Sequence, residues 1–395
     1  MSSDAGPQRV AVSTVDFGWG SAGKISSILR ELSVSKPALE LVVFASALGR
    51  HFLADFPVVA RVDQVPERDA LADTLRRWQV SAGLVVLDPA TAQRFEDAGL
   101  ATVYVDSLPN LWGAEDPLPD RATVYCAQRC DGMPVAVQSR LSRLPGLRWV
   151  EAIVPPPSPT VRRKGTALVN VGGVVSPVHP TGNRRYLLTV LPVALAALRR
   201  CGFTDVTVCG NIPADVADRI RADARGMTCR VGALGHGEFH AALAGAELLV
   251  TSPGLTTILE ASSQNCPTVL MPPQNVSQIV NSDRFVAHAP CPSRVGWPRE
   301  VLDVAQVHRA RRRSEAAALE VMTRAFDALR PEAVAGDLLP SYVAAIRDAR
   351  READWATLCA AVGVRGAGQV AGHVAALMDA PPVRPGAHRP AAVAG

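Results

Sequence analysis

Two glycine-punctuated turns carry the residue types that could handle a phosphorylated ligand. The first is Val15-Asp-Phe-Gly-Trp-Gly-Ser-Ala-Gly-Lys-Ile25, set between the apolar run RVAVST and the helical pattern ISSILRELS. Gly18, Gly20 and Gly23 fit the G-x-G-x-x-G turn that lays a dinucleotide on a helix N-terminus. That ligand also needs an acidic residue at the end of the next strand for its ribose, whereas LELVVFAS ends in Ala45-Ser46. Gly18, Gly23 and Lys24 also fit a triphosphate loop, with GLVVLD, ending at Asp88, as the accompanying acidic strand. Position 25 should then be Ser or Thr to hold magnesium; it is Ile25, and Ser26 comes one residue late. What remains is a tight strand-to-helix turn with outward N–H groups and an acidic side chain, Asp16, at the strand's end. Such a loop, with Ser21 and Lys24 in it, can serve an acceptor or a sugar, with Asp16 as general base and Asp106, ending ATVYVD, in reserve. Equally, its glycines can let helix and strand pack closely, with Asp16 as a cap. Trp19 either stacks on a flat acceptor base or packs locally. Lys24 either meets a uronate carboxylate or stands solvated at the helix start.

The second turn lies in GHGEFHAALAGAELLVTSPGLTTILEASSQNCPTVLMPPQNVSQIVN, from Gly235 to Asn281. A strand ending near Ser252 meets a Pro-Gly turn and a helix that opens with Thr256-Thr257. The N–H groups of Gly254, Leu255, Thr256 and Thr257 would form an anion site at a positive helix end, with two hydroxyl donors beside it. Glu260 follows Thr256 by four residues and so shares its helical face; a carboxylate there can accept two hydrogen bonds from a ribose diol. Gly172-Gly173 and Gly210-Asn211 follow two further strands and permit close backbone approach to a ligand. Val231, Gly232 and Leu234 offer backbone groups and small apolar walls for a flat base.

The elements that must position these turns are short β-branched runs alternating with amphipathic stretches, the pattern of βαβ units around a parallel sheet. RVAVSTV, LELVVFAS, GLVVLD and ATVYVDS mark the first half, with a helix expected near Arg50 and the apolar runs PVAVQS and RWVEAIVP closing it. TALVNVGG, DVTVCGN, CRVGAL, AELLVTS and PTVLMPP mark the second. A chain of 395 residues exceeds one ordinary core and predicts two α/β domains. The expected division is 1–155, a proline-rich linker at 156–163, 164–327, C-terminal helices over 328–380 that bridge back to the first domain, and a disordered tail at 381–395. Leu338 to Asp379 reads as helical throughout. Ligands of open α/β sheets sit beyond the carboxyl ends of the strands, which in a two-domain chain would face a cleft.

The formal net charge of +4 and the 20% of charged residues call for neither nucleic acid nor a membrane surface as partner. The eight cysteines include no Cys-x-x-Cys pair and are expected as reduced thiols. MSSDAGPQ has no export signal and no apolar run is long enough to span a bilayer, so the sequence predicts a soluble cytoplasmic protein. There is no Asp-x-Asp motif, so no metal and no cofactor is expected. A homodimer is compatible with the sequence without being specified by it.

The order of helix, buried strand, glycine-threonine turn, glutamate and proline-glutamine loop over Val231 to Asn281 resembles the GT-B glycosyltransferases, in particular the muramyl-pathway N-acetylglucosaminyltransferase and its relatives. The resemblance implies two Rossmann-like domains facing a cleft and a UDP-sugar donor. By it, Gly254, Thr256 and Thr257 hold the diphosphate, Glu260 the ribose, Val231 to Leu234 the uracil, and Gln274 with Gln278 the sugar, while Gly18 to Gly23 form the acceptor-side loop. Within the fold, VDFGWGSAGK, SPGLTTILEA and PPQNVSQI are similar to the cytosylglucuronate synthases of nucleoside-antibiotic pathways, which join glucuronate from UDP-glucuronate to N1 of cytosine or hydroxymethylcytosine, a small nucleobase acceptor. A UDP-sugar 2-epimerase on the same fold and a non-enzymatic nucleotide-sugar sensor are the alternatives.

Overall fold

The computed structural model describes residues 8–15, 19–44, 51–112, 118–174 and 183–380. Asp16, Gly18, Arg50 and the tail from 381 lie outside the described residues. The chain divides into two compact units, 1–155 with 362–395, and 156–361.

The first unit runs β1 (Gln8–Thr14), α1 (Gly20–Ser35), β2 (Leu39–Phe44), β3 (Val58–Val62), α2 (Arg68–Arg77), β4 (Val80–Val86), α3 (Pro89–Asp97), β5 (Thr102–Asp106), a short 3-10 turn (Pro109–Leu111), β6 (Val124–Gln128), α4 (Val135–Leu141) and β7 (Leu147–Val150). Its seven strands are parallel, in the order β3-β2-β1-β4-β5-β6-β7. Both faces of this sheet are covered, which is why its strands read as apolar runs rather than as an alternation of apolar and polar residues. Val10, Val12, Leu84 and Val86 point into one core layer, while Ala11 and Val85 point into the other, the period of two that a pleated strand imposes. Ile25, Ile28, Leu29 and Leu32 repeat at helical spacing and bury one stripe of α1 in the first layer. Asp88 caps α3, accepting from Thr91 N at 3.0 Å with Pro89 in the first turn. The residue that resembled a nucleotide-site acid is thus a helix cap.

The second unit runs β8 (Arg163–Gly172), α5 (Arg184–Arg200), β9 (Asp205–Gly210), α6 (Ala214–Asp223), β10 (Thr228–Gly232), α7 (His236–Gly245), β11 (Ala246–Thr251), α8 (Leu255–Ser263), β12 (Thr268–Leu270), α9 (Val276–His288), α10 (Val304–Arg311), α11 (Glu315–Asp327), α12 (Pro331–Ala349) and α13 (Thr357–Val362). Its parallel sheet has the order β10-β9-β8-β11-β12. The chain winds outward from β8 to one edge, then returns to β11 and winds to the other. The loops after β8 and β11 therefore diverge and leave a crevice at the carboxyl ends of these two strands.

The C-terminal segment forms several helices. α12 packs on α5 in the second unit, and the chain ends its described part with α14 (Gly366–Asp379), which packs on α1 in the first. Ala367, Val370, Ala371, Val374 and Met378 carry α14 into the core layer beneath α1. Its start is latched by Glu151, which accepts from the backbone N–H of Val364 and Arg365 at 3.0 and 2.9 Å and from the Arg365 guanidinium at 2.6 Å. The guanidinium and these amides hold the Glu151 carboxyl down to about 2. One expectation changes. PVAVQS forms α4 rather than a strand, beginning just after Pro134, and VYCAQ supplies β6 in its place. Among the described residues no helix is long and apolar enough to cross a membrane.

A Cβ on Gly366 would lie 2.1 Å from the backbone oxygen of Glu151, whereas one on Gly368 meets only the Glu31 carboxylate, at 3.7 Å. Gly366→Ala is expected to destabilise the chain by about 1–3 kcal/mol through overpacking. Gly368→Ala, one half-turn on, is expected to stabilise it by about 0.5–1 kcal/mol as a helix-interior replacement. Urea unfolding of both variants checks this pair of signs.

Candidate functional site

The crevice of the second unit is built around Asn170, near the carboxyl end of β8. Its Nδ2 donates to Thr257 Oγ1 at 3.0 Å and, more weakly, to Thr251 Oγ1 at 3.4 Å, while its Oδ1 accepts from Gly172 N at 3.0 Å. Ser252 N donates to the Asn170 backbone oxygen at 2.8 Å. One buried amide thereby fixes the ends of β8 and β11 and the first turn of α8 to each other. Gly172 has φ +65° and Gly210 φ +153°, and a Cβ on Gly210 would come within 2.4 Å of Val171; at these two positions a side chain is excluded by backbone conformation or space. Asn211 accepts from Val174 N and ties the loops after β8 and β9.

α8 starts at Leu255 with Gly254 as its N-cap, and no side chain caps it. Gly254, Leu255, Thr256 and Thr257 are half-buried. A helix start of this kind concentrates partial positive charge and favours an anion. One part of the sequence expectation is corrected: the Gly254 N–H already donates to Ser252 O at 2.7 Å, because the Ser-Pro-Gly turn closes on itself. The Gly254 amide is therefore not among the donors that this helix start can offer to an anion. Gly254 itself has φ −76°, and a Cβ there would meet nothing within 4 Å. Neither conformation nor packing inside the protein excludes a side chain at this point, so there is open space beside the helix start.

Glu260 is one turn further along α8 and only 3% exposed. Its Oε1 meets His236 Nε2 at 3.3 Å and His240 Nε2 at 3.2 Å. Burial pushes its carboxyl up, but the two imidazoles outweigh that and hold it down to about 2. Its other oxygen takes no hydrogen bond from the described residues. Burial, with the Glu260 charge adding to it, pushes the neighbouring Cys209 thiol well above its ordinary range.

The remaining candidates of this unit divide by role. Gln274 Nε2 reaches the Val171 backbone oxygen at 3.3 Å, so the loop after β12 is brought to the end of β8. Gln278 turns its Oε1 onto Gln274 N at 3.0 Å and is nearly buried; that oxygen shapes the loop. Ser252 is buried against the Tyr186 hydroxyl at 3.2 Å. Val231 lies in the edge strand β10, Gly232 is exposed and Leu234 packs on the Phe239 and Leu243 cluster. Asn170, His236 and His240 were not among the sequence candidates. The i, i+4 spacing of the two histidines was visible in GHGEFHAAL, but their carboxylate partner stands 20 residues away from the nearer one.

The first unit places its candidates less favourably. Lys24 is 1% exposed, and its Nζ donates to Gln128 Oε1 at 2.9 Å, an oxygen that also accepts from Ile153 N at 3.1 Å. Both readings of Lys24 from sequence required an accessible ammonium, and the stripe of α1 that carries it is buried. Trp19 packs edge-on against His51 and Phe52, with ring centroids 4.5 and 5.5 Å away. Ser21 donates to the Val15 backbone oxygen at 3.2 Å, and Gly23 N to Trp19 O at 3.0 Å, which closes the first turn of α1 after Gly20. Asp106 is fully buried: Oδ2 accepts from the Tyr125 hydroxyl and the Trp112 indole, both at 2.7 Å, and Oδ1 from Leu108 N at 3.0 Å. With both oxygens engaged, it is a junction between strands rather than an exposed base.

Two doubly wound parallel α/β units, one with a helix N-terminus open at its strand-order switch point, define the GT-B fold of nucleotide-sugar glycosyltransferases. The chain belongs to the CGA synthase-related protein family, whose model matches residues 50–331, more than half of its length. Its fold is similar to that of Acinetobacter baumannii MurG, with TM-score 0.53 and 12% identity over 94% of this chain and 100% of that one. A Polygonum tinctorium UDP-glucosyltransferase capable of glucosylating indoxyl gives TM-score 0.53 and 12% identity over 96% and 100%. Arabidopsis thaliana UGT89C1, solved with UDP-L-rhamnose, gives 0.52 and 13% over 94% and 99%. At these identities the likeness is one of fold. No curated protein matches the chain significantly in sequence.

Burial raises the Asp106 carboxyl from 3.8 to about 6 against the pull of its three donors. The folded state then holds this proton more tightly than the unfolded chain does. Its contribution to stability is complete below about pH 4 and is lost as pH rises through about 6, a change on the order of 3 kcal/mol. Asp106→Asn, whatever its absolute stability, should show a flatter decline between pH 4 and 7 in parallel denaturant titrations.

Proposed function

We propose that this chain is an inverting, UDP-sugar-dependent glycosyltransferase that moves glucuronate from UDP-glucuronate to N1 of cytosine or hydroxymethylcytosine. The observation that carries the donor half of this reading is the uncapped, half-buried start of α8 at the switch point of the second sheet, with Glu260 one turn behind it. That spacing suits a nucleoside diphosphate: the phosphates lie over the first-turn amides and the Thr256 and Thr257 hydroxyls, and the ribose diol meets Glu260 through the oxygen that the histidines leave open. Val231 to Leu234 would flank the uracil, and Gln274 and Gln278 would lie nearest the sugar. The acceptor half draws on the family's description as CGA synthase-related, which agrees with the resemblance of the short motifs to cytosylglucuronate synthases.

In the proposed step the N1 nitrogen of the base forms a bond to C1 of the sugar as the bond from C1 to the phosphate oxygen breaks. The electron pair leaves with UDP, and the N1 proton passes to a base, for which Asp16, following β1, is the candidate. The positive end of α8 offsets the charge gathering on the departing diphosphate, and fixed dipoles of this kind need no reorganisation as the charge develops.

The experiment is a mass-spectrometric assay of UDP release and product mass, with UDP-glucuronate against UDP-glucose and with cytosine against no acceptor. A cytosine-dependent product from UDP-glucuronate is expected. Conversion of UDP-N-acetylglucosamine without acceptor would instead indicate an epimerase, and UDP binding with no turnover on any donor a sensor. Gly254→Ala should leave folding stability within about 1 kcal/mol yet weaken UDP binding by about tenfold or more, because its methyl group would take up the open space beside the start of α8 that the diphosphate is proposed to fill; calorimetry reads both. Asp16→Asn should lower kcat by about 10²–10⁴ with UDP affinity unchanged, and full turnover in that variant would remove Asp16 from the role.

A further inference from the structure

Three side chains from two helices converge on one point in the second unit. His236 and His240 stand one turn apart on α7, with their Nε2 atoms 2.9 Å from each other, and Glu260 of α8 places Oε1 3.3 and 3.2 Å from them. The three ligand-type atoms therefore form a nearly equilateral triangle. Protons alone do not satisfy it. Each Nε2 carries at most one hydrogen, and an ionised carboxylate carries none, so at most two hydrogens serve three contacts. At least one edge must set like groups against each other, inside a site where His236 and Glu260 are each 3% exposed. Such a mismatch is expensive in a low-dielectric interior.

A divalent cation removes the conflict, because all three atoms then present lone pairs to one charge. Metal–ligand bonds of 2.0–2.1 Å in a tetrahedron separate neighbouring ligand atoms by about 3.3–3.4 Å, close to the edges found. The donor set also selects among ions. Two imidazoles and one carboxylate suit a borderline first-row ion such as zinc far better than magnesium or calcium, which favour all-oxygen shells. The missing Asp-x-Asp motif led the sequence reading to expect no metal, but that criterion is blind to histidine ligands.

We propose that His236, His240 and Glu260 form a binding site for one divalent transition-metal ion, zinc in the first instance, with a fourth position open to water or to an oxygen of a bound ligand. Entry is past His240, the least buried of the three. The ion clamps α7 to α8 and fixes the carboxylate, so that Oε1 is committed to metal while Oε2 stays available. The site does not depend on the donor reading above, since its three ligands are set by the protein alone.

The test uses the full chain, stripped with chelator and then titrated with zinc or cobalt. One equivalent of zinc should survive gel filtration, as measured by elemental mass spectrometry. The cobalt form should show the intense visible bands of a four-coordinate ion without thiolate charge transfer. His236→Gln and His240→Asn should each weaken binding by more than about tenfold, the loss that even an outer-shell substitution produces, while His308→Asn, at a partly exposed position of α10, should not. Should either ligand variant fail to fold, X-ray absorption of the zinc-loaded wild type decides the matter. Nitrogen and oxygen scatterers at about 2.0–2.1 Å support the site, and sulfur at about 2.3 Å overturns it. A wild-type chain that retains no ion, or ligand variants that retain a full equivalent, overturn it as well. UDP calorimetry on the same samples separates the two readings: metal without UDP binding leaves this site standing and sinks the donor assignment, and UDP binding without metal does the reverse.

Discussion

The Asn170 side chain joins three pieces of backbone that would otherwise part. The second sheet reverses its winding between β8 and β11, so the loops after those strands leave in opposite directions. Beyond the last ladder bond, from Ser252 N to the Asn170 backbone oxygen, side chains must hold the walls of such a crevice in register. The Asn170 side chain does this, donating to Thr251 and Thr257 and accepting from Gly172 N. Each such bond is worth only about 1 kcal/mol in stability, yet together they fix the direction in which α8 begins. The accessible first-turn amides, the position of Glu260 and the contact of Gln274 with β8 all follow from that direction.

Around this junction the unit sorts its polar groups by whether they are spent. Ser252, Gln278 and the Gly254 amide are used up in shaping the turn, whereas one oxygen of Glu260 takes no hydrogen bond from the described residues. The sorting is a consequence of burial. Polar groups inside a protein must find partners, and only those at the crevice wall can leave a bonding direction for something else. The same accounting makes the histidine–glutamate triangle conspicuous, since it is a buried polar cluster that protons cannot fully satisfy.

The first unit shows a different solution to a similar problem. Its last described helix returns from the far end of the chain and is seated by Glu151, through two backbone amides and one guanidinium, with glycines where the chains pass too closely for a Cβ. Burying Lys24 and Asp106 there, each among hydrogen-bonding partners, turns two residues that looked chemical into parts of the framework.

Much of this was legible in the sequence. Continuous apolar runs and helical stripes such as Ile25, Ile28, Leu29 and Leu32 specify parallel sheets covered on both faces, and a Pro-Gly turn followed by Thr256-Thr257 and Glu260 specifies a helix start, because backbone geometry ties these features to spacing along the chain. The strand VYCAQ and the helix of PVAVQS were not legible, since segments of five to seven residues carry too few periods to tell one from the other. Tertiary structure alone decided that Asn170 holds the crevice, that Lys24 is buried, that the Gly254 amide is occupied and that His236 and His240 meet Glu260. Those facts depend on which strand ends become neighbours, and strand order is set by the packing of whole layers rather than by any local stretch of residues.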